Sequence, residues 1–187
     1  GFEKLNFIRR LLAFFVLQGA SRLRVVSKRL SYFIQNTFKV KENKISIISI
    51  YIDPKQFAGV GKKENDGHFT FISLSRLVEV KKIENQIRAI SDLKKELPNA
   101  RLCVGGSGPL ESKLKELAKD LCVEDRVLFE GYVTSAETFF KKGDCFLFSS
   151  SSEGYGLAPI EAALSGLPVI MTDVGAAGEV LFHGENA

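Results

Sequence analysis

The sequence predicts an α/β fold in which a parallel sheet carries helices on both faces. Three observations point there. From residue 68 onward, short apolar runs alternate with segments of helical period. Several of the runs are continuously apolar instead of alternating, as strands covered on both faces are. The chain has 187 residues, 45% of them hydrophobic, enough for one full domain and part of another.

The elements follow in order. Residues 2–18 form a predicted helix with an apolar stripe of Leu5, Ile8, Leu12, Phe15 and Val16, and Arg9 and Arg10 beside it. A short strand over 23–26 leads to Ser27, a suitable N-cap for a helix over 28–36. A basic connection, 39–44, precedes an isoleucine-rich strand over 45–51. Residues 53–67 contain Pro54 and three glycines and read as loop. A strand over 68–75 then enters a helix over 82–97, with Ile83, Ile87, Ile90 and Leu97 on one face. A strand over 101–104 is followed by a helix over 109–121. Pro109 suits its first position, and Leu110, Leu114, Leu117 and Leu121 form its stripe. A strand over 126–132, a short helix over 135–141 and a strand over 145–149 come next. The last pair is a helix over 157–165, ended by Gly166, and a strand over 168–172.

Composition narrows the function. A net charge of +4 with 26% charged residues points to no nucleic-acid partner. Cys103, Cys122 and Cys145 match neither a metal site nor a disulfide framework, and Cys103 and Cys145 lie in buried-strand runs. His68 and His183 have no neighbours suited to a catalytic triad. No cluster has the spacing of zinc or calcium ligands. The longest apolar run, 11–17, is too short to span a bilayer.

Ligands of parallel α/β sheets bind beyond the carboxyl ends of the strands, so the segments after each strand hold the chemistry. After the strand over 145–149 comes Ser150-Ser-Ser-Glu153-Gly-Tyr-Gly-Leu157, opening directly into a helix. Free N–H groups and the positive dipole end of a helix start suit a phosphate. Gly154 and Gly156 let the backbone approach a ligand closely. Glu153 and Glu161, spaced Glu-x7-Glu, can aim at one crevice, where carboxylates accept from sugar hydroxyls. Spacing alone fits equally a helix-start charge at Glu161 and an exposed loop residue at Glu153. After the strand over 68–75, Arg76 and Lys81 offer two cations for a diphosphate. Lys81 and Lys82 by themselves fit a solvated surface at least as well. Val104-Gly-Gly-Ser-Gly-Pro-Leu lacks the third glycine of a dinucleotide fingerprint and reads as a tight structural turn.

In this order, four stretches resemble the retaining glycosyltransferases of the GT-B fold, in the set known as glycosyl transferases group 1 or family 4. They are Ser75-Arg-Leu-Val-Glu-Val-Lys81, Val104-Gly-Gly-Ser-Gly-Pro-Leu110, Glu124-Asp-Arg-Val-Leu-Phe-Glu-Gly-Tyr-Val133 and the segment from Ser152 to Asp173 with Glu-x7-Glu. The resemblance implies a Rossmann-like C-terminal half that binds a UDP- or GDP-linked sugar. It implies that Arg76 and Lys81 hold the diphosphate and stabilise the leaving nucleotide, aided by the backbone of Gly156 and Leu157. Gly154 and Tyr155, in the same loop, would also contact the donor. Glu153 would contact the donor sugar near the reacting carbon, Glu161 the ribose hydroxyls, and the backbone around Val133 the base. Glu153, Arg76 and Lys81 are thus the expected catalytic group. No metal or resident cofactor is implied.

The same resemblance implies domains: 1–52 as a remnant of the N-terminal acceptor domain with its last strand, 53–67 as linker, and 68–187 as the donor-binding domain, incomplete at its C-terminus. Gly1 at one end and the turn-like Gly184-Glu185-Asn186 at the other lead us to expect a piece of a longer protein, inactive by itself. The expected acceptor is a saccharide or a lipid-linked molecule in cell-surface polysaccharide synthesis. The expected location is the cytoplasm or the inner face of the membrane, where Arg9 and Arg10 would touch anionic lipid. A helix packed within the rest of the N-terminal domain explains that stripe more simply, because any core-facing helix shows one. Two other readings fit the fold: a non-catalytic nucleotide-binding partner, and a sugar-nucleotide epimerase. Ser75 in place of a glycine, and Gly175-Ala-Ala-Gly-Glu179, depart from the family's pattern.

Overall fold

The computed structural model describes residues 2–57, 63 and 66–186, with the side chains of 2–5 left aside. The chain divides into two compact units, Gly1–Tyr51 and Ile52–Ala187.

In the first unit, α1 (Phe2–Gly19) precedes β1 (Leu23–Val25), α2 (Lys28–Phe38) and β2 (Ile45–Ile47). The two strands are parallel, Leu23 opposite Ile45. Ser27 caps α2 as expected, accepting from the Leu30 amide at 3.1 Å. The helix runs two residues beyond 36 and ends where Lys39 turns left-handed at φ 55°. The strand expected over 45–51 stops at Ile47. Its partner β1 has only three residues, so no ladder remains for 49–51. The apolar stripe expected on α1 lies uncovered within this unit. Ile8, Leu12, Phe15 and Val16 are 51–69% exposed, and Leu17 packs against the core of Val25, Ile34 and Val40 instead. Leu5 lies outside the described side chains. The Lys44 ammonium binds the Gln18 and Ala20 carbonyls at the end of α1, at 3.0 and 3.1 Å.

In the second unit, part of the expected loop is helical. Asp53 binds the Lys55 amide through its carboxylate, and Pro54 starts α3 (Pro54–Phe57). Phe57 is buried against Phe140. Residues 58–62, 64 and 65 of that expected linker lie outside the described residues.

Five strands follow: β3 (Phe69–Leu74), β4 (Ala100–Gly105), β5 (Val127–Gly131), β6 (Cys145–Phe148) and β7 (Val169–Met171). All are parallel, in the order β5-β4-β3-β6-β7. The helices are α4 (Ile83–Asp92), α5 (Glu111–Asp120), α6 (Ala136–Phe140) and α7 (Leu157–Leu164). One sheet face buries Leu102, Val104, Ile87, Ile90 and Leu114 under α4 and α5. The other buries Ile72, Phe146, Phe140 and Ala162 under α3, α6 and α7. Phe146 is fully buried and meets Phe140 edge-on at 5.8 Å. The expected parallel sheet covered on both faces is therefore observed.

Some boundaries differ from expectation. α4 ends at Asp92, not 97, and Leu97 is 44% exposed. Pro98 disfavours helical backbone at the residue before it. α5 starts at Glu111, and Pro109 lies in the turn before it. Cys103 and Cys145 are buried, as expected of small core residues. Burial and the nearby Glu130 push the Cys103 thiol up to about 12.

Lys82, between a 3-10 turn (Glu79–Lys81) and α4, is left-handed at φ 52° and ψ 39°. A β-carbon there costs about 1–2 kcal/mol. Glycine would remove that strain but adds about 0.5–1 kcal/mol of unfolded-chain entropy. Lys82→Gly is expected to stabilise this unit by about 0.5–1 kcal/mol, read as a higher urea midpoint at unchanged slope.

Candidate functional site

Sheet order places the site. β3 has β4 on one side and β6 on the other. The chain leaves β5 at one edge and returns across the sheet to β6. Strand order therefore reverses between β3 and β6, and the loops leaving their carboxyl ends part around a crevice. Those loops are 75–82, with Arg76 and Lys81, and 149–156, with Glu153.

The structure brings Lys81 and Glu153 together. The Lys81 ammonium forms an ion pair and a hydrogen bond with the Glu153 carboxylate. Both side chains are mostly buried, 15% and 14% exposed. The same ammonium lies 5.3 Å from the centre of the Phe148 ring. One of its three N–H donors serves Glu153, and no other hydrogen-bond partner of the ammonium is seen among the described residues. Sequence reasoning named both residues but not their pairing.

Arg76 is exposed at the exit of β3 and, among the described residues, makes no side-chain ion pair or hydrogen bond. Its loop is held by backbone bonds, Ser75 N to Gly105 O at 3.0 Å and Leu77 N to Ser107 O at 2.9 Å. Leu77 is fully buried beneath it. The loop after β4 is the tight turn expected from its glycines. A β-carbon on Gly106 would stand 1.9 Å from the Ser75 carbonyl oxygen, and one on Gly108 2.4 Å from that of Leu77.

At the start of α7, Gly156 is the N-cap at φ 81°, and no side chain caps the helix. Pro159, in the first turn, has no N–H to satisfy. The unblocked amides and dipole of this end face the loop that carries Glu153. A β-carbon on Gly154 would meet nothing within 4 Å, so the loop is open on that side. Tyr155 is buried, and the tight contact passes to Gly175. A β-carbon on Gly175 would lie 2.3 Å from the Tyr155 carbonyl oxygen and 3.2 Å from the Glu153 β-carbon. Sequence reading registered Gly175 only as a departure from a pattern.

Glu161 is half-buried in α7. Burial first, then the like charge of Glu137 on α6, hold its carboxyl above the usual range. Glu153 is engaged by Lys81, and the electrostatic neighbour of Glu161 is Glu137. Leu157 begins α7. The Val133 side chain packs into the core beside Gly105, while the preceding Tyr132 is 79% exposed. Apolar hollows exist elsewhere, one between α7 and the last residues, lined by Ile160, Leu164, Leu167 and Leu181. None of the residues named above lines it, and the paired charges lie at the switch point instead.

Residues 55–187 match the family described as "Glycosyl transferases group 1". An alpha-monoglucosyldiacylglycerol synthase of Streptococcus pneumoniae is 40% identical over 107 residues, 56% of this chain and 24% of that protein. Among solved structures, the pneumococcal O-GlcNAc transferase GtfA in complex with UDP and GlcNAc superposes with TM-score 0.75 at 30% identity, covering 87% of this chain and 32% of that one. Anabaena Alr3699/HepE in complex with UDP and glucose superposes with TM-score 0.80 at 19% identity, over 94% of this chain and 51% of that one; this likeness is one of fold. The chain thus spans about a quarter of the length of that curated relative and a third to a half of those solved chains.

Proposed function

Because the chain belongs to the glycosyl transferases group 1 family, we propose that it carries the donor-binding part of a glycosyltransferase that takes sugar from a nucleoside-diphosphate sugar, with retention at the anomeric carbon. The observation that carries this reading is the arrangement at the switch point: Arg76, Lys81 and an uncapped helix start around one crevice.

When the glycosidic bond breaks, negative charge gathers on the departing diphosphate. Fixed cations and backbone amides placed there beforehand lower that barrier without reorganising. Lys81 is suited to this because Glu153 and Phe148 already hold its head group. Glu153, beside it, accepts from hydroxyls of the donor sugar. Glu161 and the backbone near Val133 serve the ribose and the base. Tyr155, whose side chain is buried, shapes the donor-binding loop. The groups acting on the acceptor lie outside this chain, so the chain alone binds donor and transfers no sugar. The acceptor is a saccharide or a lipid-linked molecule of the cell surface, in keeping with the lipid product in the name of the pneumococcal synthase. No metal takes part.

The test is calorimetric titration of UDP and of GDP into the chain, with and without a chelator. Saturable binding of one nucleotide, unchanged by the chelator, is expected. A folded chain that binds neither would sink the reading. A peripheral membrane contact through Arg9, Arg10 and the exposed face of α1 belongs to the same proposal. Co-sedimentation with anionic but not neutral vesicles is its expected result. No helix of the described residues is long and apolar enough to cross a membrane.

A further inference from the structure

We infer that Gln86 and Ser149 are positioning residues that hold the Lys81 turn in place for the diphosphate, an inference that rests on the donor-site reading above. Gln86 is 4% exposed on α4, on the face otherwise made of Ile83, Ile87 and Ile90. A buried amide destabilises a core unless it is bonded; here the nitrogen is bonded, while Oε1 has no partner among the described residues. Its Nε2 donates to the Ser149 hydroxyl at 2.9 Å. That hydroxyl has a single proton and two carbonyl acceptors, of Lys81 and of Lys82, each at 2.9 Å. With the amide occupying a lone pair of the oxygen, the proton is directed at those carbonyls, and the two bonds polarise one another.

Ser151 extends the clamp, its amide donating to the Val80 carbonyl at 2.8 Å. Three consecutive carbonyls, of Val80, Lys81 and Lys82, are thus bound by the segment that continues β6. The middle residue carries the proposed phosphate-binding ammonium, and the next one is the left-handed pivot into α4. Phe148, the last residue of β6, lies under the same ammonium. Backbone and head group of Lys81 are therefore both referenced to one strand end. Helix α4 is hydrogen-bonded to that end through the buried amide of Gln86. Loss of the clamp leaves the cation present but free to move, and preorganisation is what makes a fixed charge effective.

The experiment is a double-mutant cycle read by calorimetry, with whichever of UDP or GDP the chain binds. Ser149→Ala and Gln86→Leu are each expected to weaken binding about tenfold, and Ser149→Thr, which keeps the hydroxyl, to retain most of it. In a Lys81→Ala background the same two changes are expected to shift affinity less than about twofold. Unchanged affinity in Ser149→Ala, or an undiminished loss in the Lys81→Ala background, overturns the proposal. If Gln86→Leu does not fold, the Ser149 arm decides alone. If the unmodified chain is folded but binds neither nucleotide, the donor-site reading has failed. Amide exchange then decides on the clamp: faster exchange at Lys81 and Lys82 in Ser149→Ala supports it, and unchanged exchange overturns it.

Discussion

Replacing Arg76 and Lys81 together by alanine is expected to weaken nucleoside-diphosphate binding by at least about a hundredfold. Hydrogen bonds to charged groups each contribute about 1.5–3 kcal/mol, and about 1.4 kcal/mol is a factor of ten. Two lost contacts therefore account for two to four decades. The nucleoside without phosphates should bind the variant and the parent alike, because the proposed contacts to ribose and base come from other residues. Arg76→Ala is the cleaner single change. Its side chain is exposed and makes no ion pair among the described residues, so the melting temperature should not move. Lys81→Ala removes the cation from Glu153, whose side chain is only 14% exposed. That variant should also melt lower, and its binding is to be read with its stability beside it. Titration calorimetry of the diphosphate and the nucleoside, with thermal melts, checks all of this. Equal affinity in variant and parent would remove the diphosphate from this crevice.

The largest effect on stability is expected from Gly106→Ala. The added methyl would stand 1.9 Å from the Ser75 carbonyl oxygen and 2.9 Å from its carbon, both backbone atoms. The residue also holds φ 123°, a conformation that side chains rarely adopt. Overpacking and backbone strain together are expected to destabilise the unit by about 3–5 kcal/mol. That corresponds to a melting temperature lower by on the order of 10–20 °C. If the loops yield instead, Ser75 and Arg76 move away from the crevice, and diphosphate binding falls while stability holds. A variant with parental stability and parental affinity would show that this backbone packing does not matter. Gly131→Ala is a useful control: φ there is 71°, but a β-carbon meets nothing within 4 Å, so conformational strain acts alone.

Much of the second unit was legible in the sequence, because its signals are local. Period and apolar runs identified β3, α4, β4, α5, β5, α6, β6, α7 and β7 in order, and Ser27 announced its own helix start in the first unit. The errors have physical causes. The stripe of α1 marks an apolar face without stating what covers it, and among the described side chains Leu17 is the large apolar residue of that helix that packs on the core of its unit. β2 was overestimated because strand length depends on a partner's length. Phe57 looked like part of a loop because a four-residue helix is too short to display a period. Gln86 and Ser149 carried no visible signal, a glutamine within a helix and one serine in a run of four.

The sequence by itself determined the fold class, the order of its elements and the chemical types available after each strand, since all three follow from side chains a few residues apart. Only the tertiary structure decided that β6 inserts beside β3. That crossover sets Glu153 against Lys81 across 72 residues, places Ser149 under the carbonyls of Lys81 and Lys82, and leaves Glu161 beside Glu137. Strand order arises from how crossing helices cover both faces of the sheet, a global packing choice that no local period encodes.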